Sequence, residues 1–197
     1  MVAKDAHVVM AAEELAFRWR GGRLSLNFTA TVGERWRGRF ERLREPADLV
    51  RWFHEAGLTD ASVAVTMTRL RQARQLREAL YRLFIAVRTA TAPQATDLEL
   101  VNRWATRPVP GPALLVRHNR LASSPAPPEA TTLLTAVARD AVDLVTGPLA
   151  DRIKECDRHD CALLFLDESR AAARRWCSMD ACGARSKMSA YRRRHGQ

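Results

Sequence analysis

All four cysteines of this 197-residue chain lie after residue 155. They form two pairs, Cys156-x4-Cys161 and Cys177-x4-Cys182, with fifteen residues between the pairs. Two tight turns of this kind aim two sulfurs each at one point, and a short insert brings the turns together. Four thiolates then close a tetrahedral shell at about 2.3 Å, which suits zinc. A closed shell leaves no open position for a reacting water, so one structural Zn2+ is expected, on Cys156, Cys161, Cys177 and Cys182. Two disulfides or four unrelated thiols are the alternatives. Clustering and the lack of an export signal weigh toward metal. His159, inside the first pair, is either a substitute ligand or an exposed turn residue.

The segment from 151 to 197 is too short for a large core of its own, so metal binding would supply much of its folding free energy. Within it, Leu163 to Leu166 reads as a short strand and Asp167-Glu168-Ser169 as a turn. Arg174, Arg175 and Trp176 return the chain to Cys177. A helix is expected from Cys182 through Arg194, with Met188 and Tyr191 packing back on the module. Cys182 at a helix N-terminus would gain from the helix dipole.

Charge adds a second constraint. Thirty-two Lys and Arg oppose 22 Asp and Glu, a net charge of +10. Such a balance favours phosphate polymers, acidic partners or anionic membranes. Only Lys4, Lys154 and Lys187 are lysines, and Arg is the better bidentate phosphate ligand. A GC-rich genome would produce the same bias. From Gly183 onward the cations are Arg185, Lys187, Arg192, Arg193 and Arg194, with no acid. A metal-pinned basic helix can place cations on DNA; a solvated, frayed terminus is the bland alternative.

The first 150 residues read as mainly helical. Leu24, Leu26 and Phe28 alternate with polar residues, which predicts a short strand. The arginine-rich run from Gly33 to Glu45 reads as a solvated loop. Pro46 suits a first helical turn and Gly57 a left-handed stop, and Asp60 is a candidate cap for the next helix. Leu70, Ala73, Leu76, Leu80, Leu83, Phe84 and Val87 follow helical spacing and predict a helix over about 61–90. Glu78 and Arg82 are spaced for a helical ion pair. Further helices are expected from Asp97 to Trp104 and from Ala130. Between them, residues 107–128 hold six of the nine prolines, with a hairpin turn at His118-Asn119. No run of about eighteen apolar residues exists, so no membrane span is expected. Met1 to Met10 lacks the apolar core of a secretory signal, which makes the cytoplasm the expected compartment.

These residues resemble a known family. Cys156-x4-Cys161, Phe165-x-Asp167-x-Ser169 and Arg175-Trp176-Cys177-Ser178-Met179-x-x-Cys182-Gly183, followed by a basic tail, look like the CGNR zinc finger over residues 151 to 195. In bacterial proteins of this size that finger follows a helical ABATE domain. Gly22-Arg-Leu-Ser-Leu-Asn-Phe28 and Leu76-Arg77-Glu78-Ala79-Leu80 resemble elements of that domain. Two departures stand out: Ala184 replaces the signature Asn, and Asn27 and Ala30 replace an Asp and a later Asn near the start.

The resemblance implies a stress-induced bacterial transcription regulator. The expected fold is mainly α: a helical domain over 1–150 with a short strand or hairpin, then a small four-cysteine finger over 151–197. The DNA candidates are Arg170, Arg174, Arg175, Arg185, Lys187, Arg192, Arg193 and Arg194; Arg174 and Arg175 have an alternative role bracing Trp176 or Asp167. A small-molecule effector in the helical domain and a homodimer are the further expected partners. A zinc-stabilised protein-interaction module and a small-ligand-binding protein are the competing readings. No glycine-rich phosphate loop, metalloprotease run or nucleophile elbow occurs, so no enzymatic activity is expected.

Overall fold

A computed structural model describes residues 15–35, 40–111, 113–124 and 127–195. The chain is mainly α. Helix α1 spans Leu24–Thr29, α2 Pro46–Glu55, α3 Met67–Arg88, α4 Ala95–Ala105, α5 Ala130–Thr146 and α6 Ala184–His195. Among the described residues, three two-stranded antiparallel ladders punctuate them. Strands β1 (Val32–Gly33) and β2 (Phe40–Glu41) pair. Strands β3 (Ala113–Arg117) and β4 (Arg120–Ser124) form a hairpin, and β5 (Ile153–Glu155) pairs with β6 (Leu164–Leu166).

Helix α3 is the central beam. Its stripe Leu70, Ala73, Leu76, Leu80 and Phe84 is fully buried, packed among α1, α2, α4, α5 and β5. It starts at Met67, later than the expected boundary near residue 61: the Thr66 hydroxyl, not Asp60, accepts the Arg69 N–H at 3.1 Å and caps it. Pro46 occupies the first turn of α2, and Gly57 after it has φ +67°. His118 and Asn119, with φ of 50° and 59°, form the hairpin turn between β3 and β4. That hairpin leaves Leu114, Val116 and Leu121 more than two thirds exposed.

Three further expectations are corrected. Leu24 to Thr29 is helical, not a strand. Arg23, at the N-cap position, makes no side-chain cap bond. Asp140 of α5 substitutes, accepting the Ser25 N–H at 2.8 Å and its hydroxyl at 2.5 Å while also binding Arg23 Nε at 2.9 Å. Ser25, Leu26, Phe28 and Thr29 are all buried, so alternation does not mark a sheet face here.

The arginine-rich run is not simply a solvated loop, although its residues 36–39 lie outside the described residues. Arg42 is 4% exposed. Arg35 reaches Glu78 at 2.8 Å and lies 3.9 Å from the Tyr81 ring centroid. The third correction follows: Glu78 does not pair with Arg82. Glu78 is taken by Arg35 and Arg77, and Arg82 forks onto Asp97 at 2.6 and 2.8 Å. A helical pair is worth only a few tenths of a kcal/mol, so partners better placed by tertiary packing displace it.

Candidate metal centre and basic helix

The finger is built on the β5–β6 hairpin. Its register sets Ile153 opposite Leu166 and Glu155 opposite Leu164 on one face, with Lys154 opposite Phe165 on the other. Ile153, Leu164 and Leu166 join the core of the helical region. Phe165 turns the other way and packs with Cys156, Cys177 and Cys182. The hairpin is also tied to the chain before α1, where the Leu166 N–H donates to the Gly21 carbonyl at 2.8 Å.

Cys156 leaves β5, its N–H bonded to the Leu163 carbonyl at 2.9 Å. Cys161 follows a turn in which its N–H donates to Arg158 O at 3.0 Å. Cys182 lies in a π-helical turn, Met179–Gly183, where its N–H and that of Gly183 both donate to Ser178 O. The regular helix therefore begins at Ala184 rather than at Cys182. Gly183 packs closely: a Cβ there would sit 3.0 Å from Met179 Sδ and 3.5 Å from the Trp176 ring, so the Met179 side chain would have to shift.

The four Sγ atoms all lie within 4.8 Å of one another. Cys161–Cys177, Cys177–Cys182 and Cys182–Cys161 are separated by 3.8, 3.6 and 3.7 Å. A tetrahedron with arms of about 2.3 Å has edges of about 3.8 Å. A disulfide needs about 2.0 Å, and all four cysteines are free. The donor set thus fits one zinc ion, with a structural role. His159 is exposed and stands apart from the cluster. Hydrogen bonds from Cys156, then Cys161 and Cys182, push the Cys177 thiol up. Four such groups cannot all ionise at this separation without a cation among them.

Asp167 is the unforeseen hub of the finger. It is fully buried and holds Lys154 Nζ at 2.7 Å, the Ser169 hydroxyl at 2.6 Å and the Arg174 N–H at 2.8 Å. Burial pushes its carboxyl up, but Lys154, Ser169 and the two backbone N–H groups outweigh burial and hold it well below the usual carboxylate range. The Asp-x-Ser spacing is the signal that points to this role, since such side chains bond backbone two residues on.

The eight candidate basic residues fall into two groups. Arg174 braces the finger: its guanidinium donates to Cys177 O at 2.8 Å and lies 4.9 Å from the Phe165 ring centroid. Arg175 pairs with Asp157 at 2.6 Å and overlies Trp176, and Arg170 is exposed on the preceding loop. Arg185, Lys187, Arg192, Arg193 and Arg194 are gathered on α6, all exposed. Met188 and Tyr191 do not pack back on the module: they are 54% and 56% exposed. Helix α6 touches chiefly the π-helical turn that precedes it, so nothing covers that face among the described residues.

The substitutions near the start also have a place. Asn27 Oδ1 accepts the Gly21 N–H at 2.8 Å, a bond that an Asp carboxylate could make equally. Ala30 is 7% exposed and lines a cleft facing the finger. Ala184 is exposed at the start of α6.

Two family models match this chain. Residues 22–148 match the family ABATE, described as "Putative stress-induced transcription regulator". Residues 152–195 match the CGNR zinc finger. No curated protein matches the chain. Among the described residues no helix is long and apolar enough to cross a membrane.

Proposed function

The chain belongs to the ABATE family and carries a CGNR zinc finger, and on that footing we propose a transcription regulator that holds DNA through the helix behind the finger. The observation that carries the reading is α6. Five cations and no acid lie on a twelve-residue helix that hangs from a metal-pinned turn, and its described side chains are all exposed or half-exposed. Cations on a rigid helix suit phosphate contacts or a groove. Arg170 and Arg175 flank the finger and would add to the same field, whereas Arg174 is committed to bracing it.

The test is retention of the zinc-loaded chain on duplex DNA across a salt series. Binding falls steeply with salt, and replacing Arg192, Arg193 and Arg194 by Ala reduces the slope of log K against log salt by about three. Unchanged binding in that variant would remove the tail from the interface.

The remaining features are part of the same proposal: action in the bacterial cytoplasm under stress, a homodimer matching a two-fold DNA site, and no catalytic activity. A second reading, a protein-interaction module, is favoured by Met179, Met188 and Tyr191, each about half exposed. Salt-insensitive binding to a protein, without DNA retention, would select it.

A further inference from the structure

A cavity of about 180 Å³ lies where the helical region faces the finger. One wall comes from Arg18, Arg20, Ala30, Gly33 and Arg42, and the other from residues 160–164 with Ala181 and Arg185. Arg35 and Arg158 also reach it, but Arg35 is paired with Glu78 and Arg158 with Asp160. Arg18, Arg20 and Arg185 have no carboxylate partner among the described residues. Against them and Arg42 stand Glu34 and the two net negative charges that a zinc tetrathiolate carries, which leaves the cavity positive with the metal in place.

Arg42 is the built feature. Its residue is 4% exposed, and its Nη1 donates to the Ala30 carbonyl at 3.3 Å. The Nη1–Nη2 edge of the guanidinium abuts Gly33, where an added Cβ would meet Nη1 at 2.5 Å and Nη2 at 2.9 Å. Glycine at 33 is what lets a buried cation line this wall. Burial, followed by repulsion from Arg18, pushes Arg42 down to about 10. Two guanidiniums held close enough to repel in a half-enclosed cavity gain most from an anion that reaches both.

We propose that this cavity binds the phosphate group of a small metabolite, held by Arg18, Arg42 and Arg185. Cations line both walls of the cavity, which suits the tetrahedral oxygens of phosphate better than a planar carboxylate. The depth of Arg42 suits a free small molecule better than a duplex backbone. A ligand spanning both walls would stiffen the finger against the helical region. Its use as an effector site rests on the regulator reading; the binding itself does not.

The experiment uses the zinc-loaded full chain and inorganic phosphate, at ionic strength held constant with sodium chloride, read by calorimetry and thermal melting. Phosphate is expected to bind saturably and raise Tm, with acetate much weaker. Arg18→Gln and Arg185→Ala are each expected to raise the phosphate Kd about tenfold or more, and Arg120→Ala at the distant hairpin tip to leave it unchanged. Arg42→Gln is the most direct variant, but the other two carry the test if it does not fold. A response no different from that to acetate, or one untouched in the Arg18→Gln and Arg185→Ala variants, overturns the proposal. Competitive displacement of phosphate by a DNA duplex would assign the cavity to a backbone phosphate and overturn it also. Because phosphate alone is the probe, failure here is distinct from failure of DNA binding.

Discussion

Phe165 and Leu166 are adjacent in one three-residue strand, yet they are buried in different cores. Phe165 packs against Cys156, Cys177 and Cys182, while Leu166 joins the helical core with Leu164 and Ile153. The period of two in a strand sends neighbours to opposite faces, and both faces of this hairpin are occupied. The finger is therefore bolted to the helical region through its own sheet.

This arrangement separates two variants. Leu166→Ala, at 1% exposure, is expected to cost the helical core about 2–5 kcal/mol in urea unfolding followed by far-UV circular dichroism. Phe165→Ala is expected to weaken zinc retention in chelator competition more than Leu166→Ala does. Equal effects of the two variants on both readouts would contradict a divided strand.

Zinc removal should reach past the finger. Without the metal, nothing holds the four Sγ atoms at separations of 3.6–3.8 Å, and the inner face of the hairpin loses its support. One zinc per chain is expected by elemental analysis. Chelation in reductant is expected to lower the Tm of the helical signal as well as that of the finger. A helical transition unmoved by chelation would show that the two cores are independent.

Asp167 predicts a pH dependence. Its carboxyl is held below the usual range in the folded state, so its contribution is present above the unfolded value of about 3.9 and is lost as pH falls below that toward the folded value. Asp167→Asn leaves the buried end of Lys154 without its countercharge and is expected to destabilise by about 3 kcal/mol at pH 7. The gap between wild type and Asp167→Asn in urea unfolding should narrow as pH falls below about 4. Taking the difference removes the acid loss of zinc common to both proteins.

Asp140 tests a cap supplied from another helix. Asp140→Ala removes the acceptor for Ser25 and one of the two carboxylate partners of Arg23, leaving Asp143. A loss of about 1–3 kcal/mol is expected, with increased amide hydrogen exchange over Leu24–Thr29. Unaltered exchange in that segment would mean that packing alone holds α1.

Much of this was legible along the chain. Cysteine spacing pointed to the metal cluster, the apolar stripe of α3 to its central helix, and His118-Asn119 to the hairpin turn. The misread segments share a cause. Leu24 to Thr29 alternates as a strand would, but its cap lies 115 residues away. Arg35 and Arg42 look like solvated charge until Glu78, Tyr81 and Gly33 are brought beside them. Glu78 and Arg82 have ideal spacing for each other and found other partners.

Residue order alone settled what local geometry can decide: metal-ligand spacing, helical periodicity and a two-residue turn with left-handed backbone. Tertiary structure alone decided which charges are paired, which strand face meets which core, and that a buried Arg42 faces the finger across a cavity. Those outcomes depend on groups brought together from distant parts of the chain, where burial and desolvation outweigh the weak preferences of neighbours in sequence.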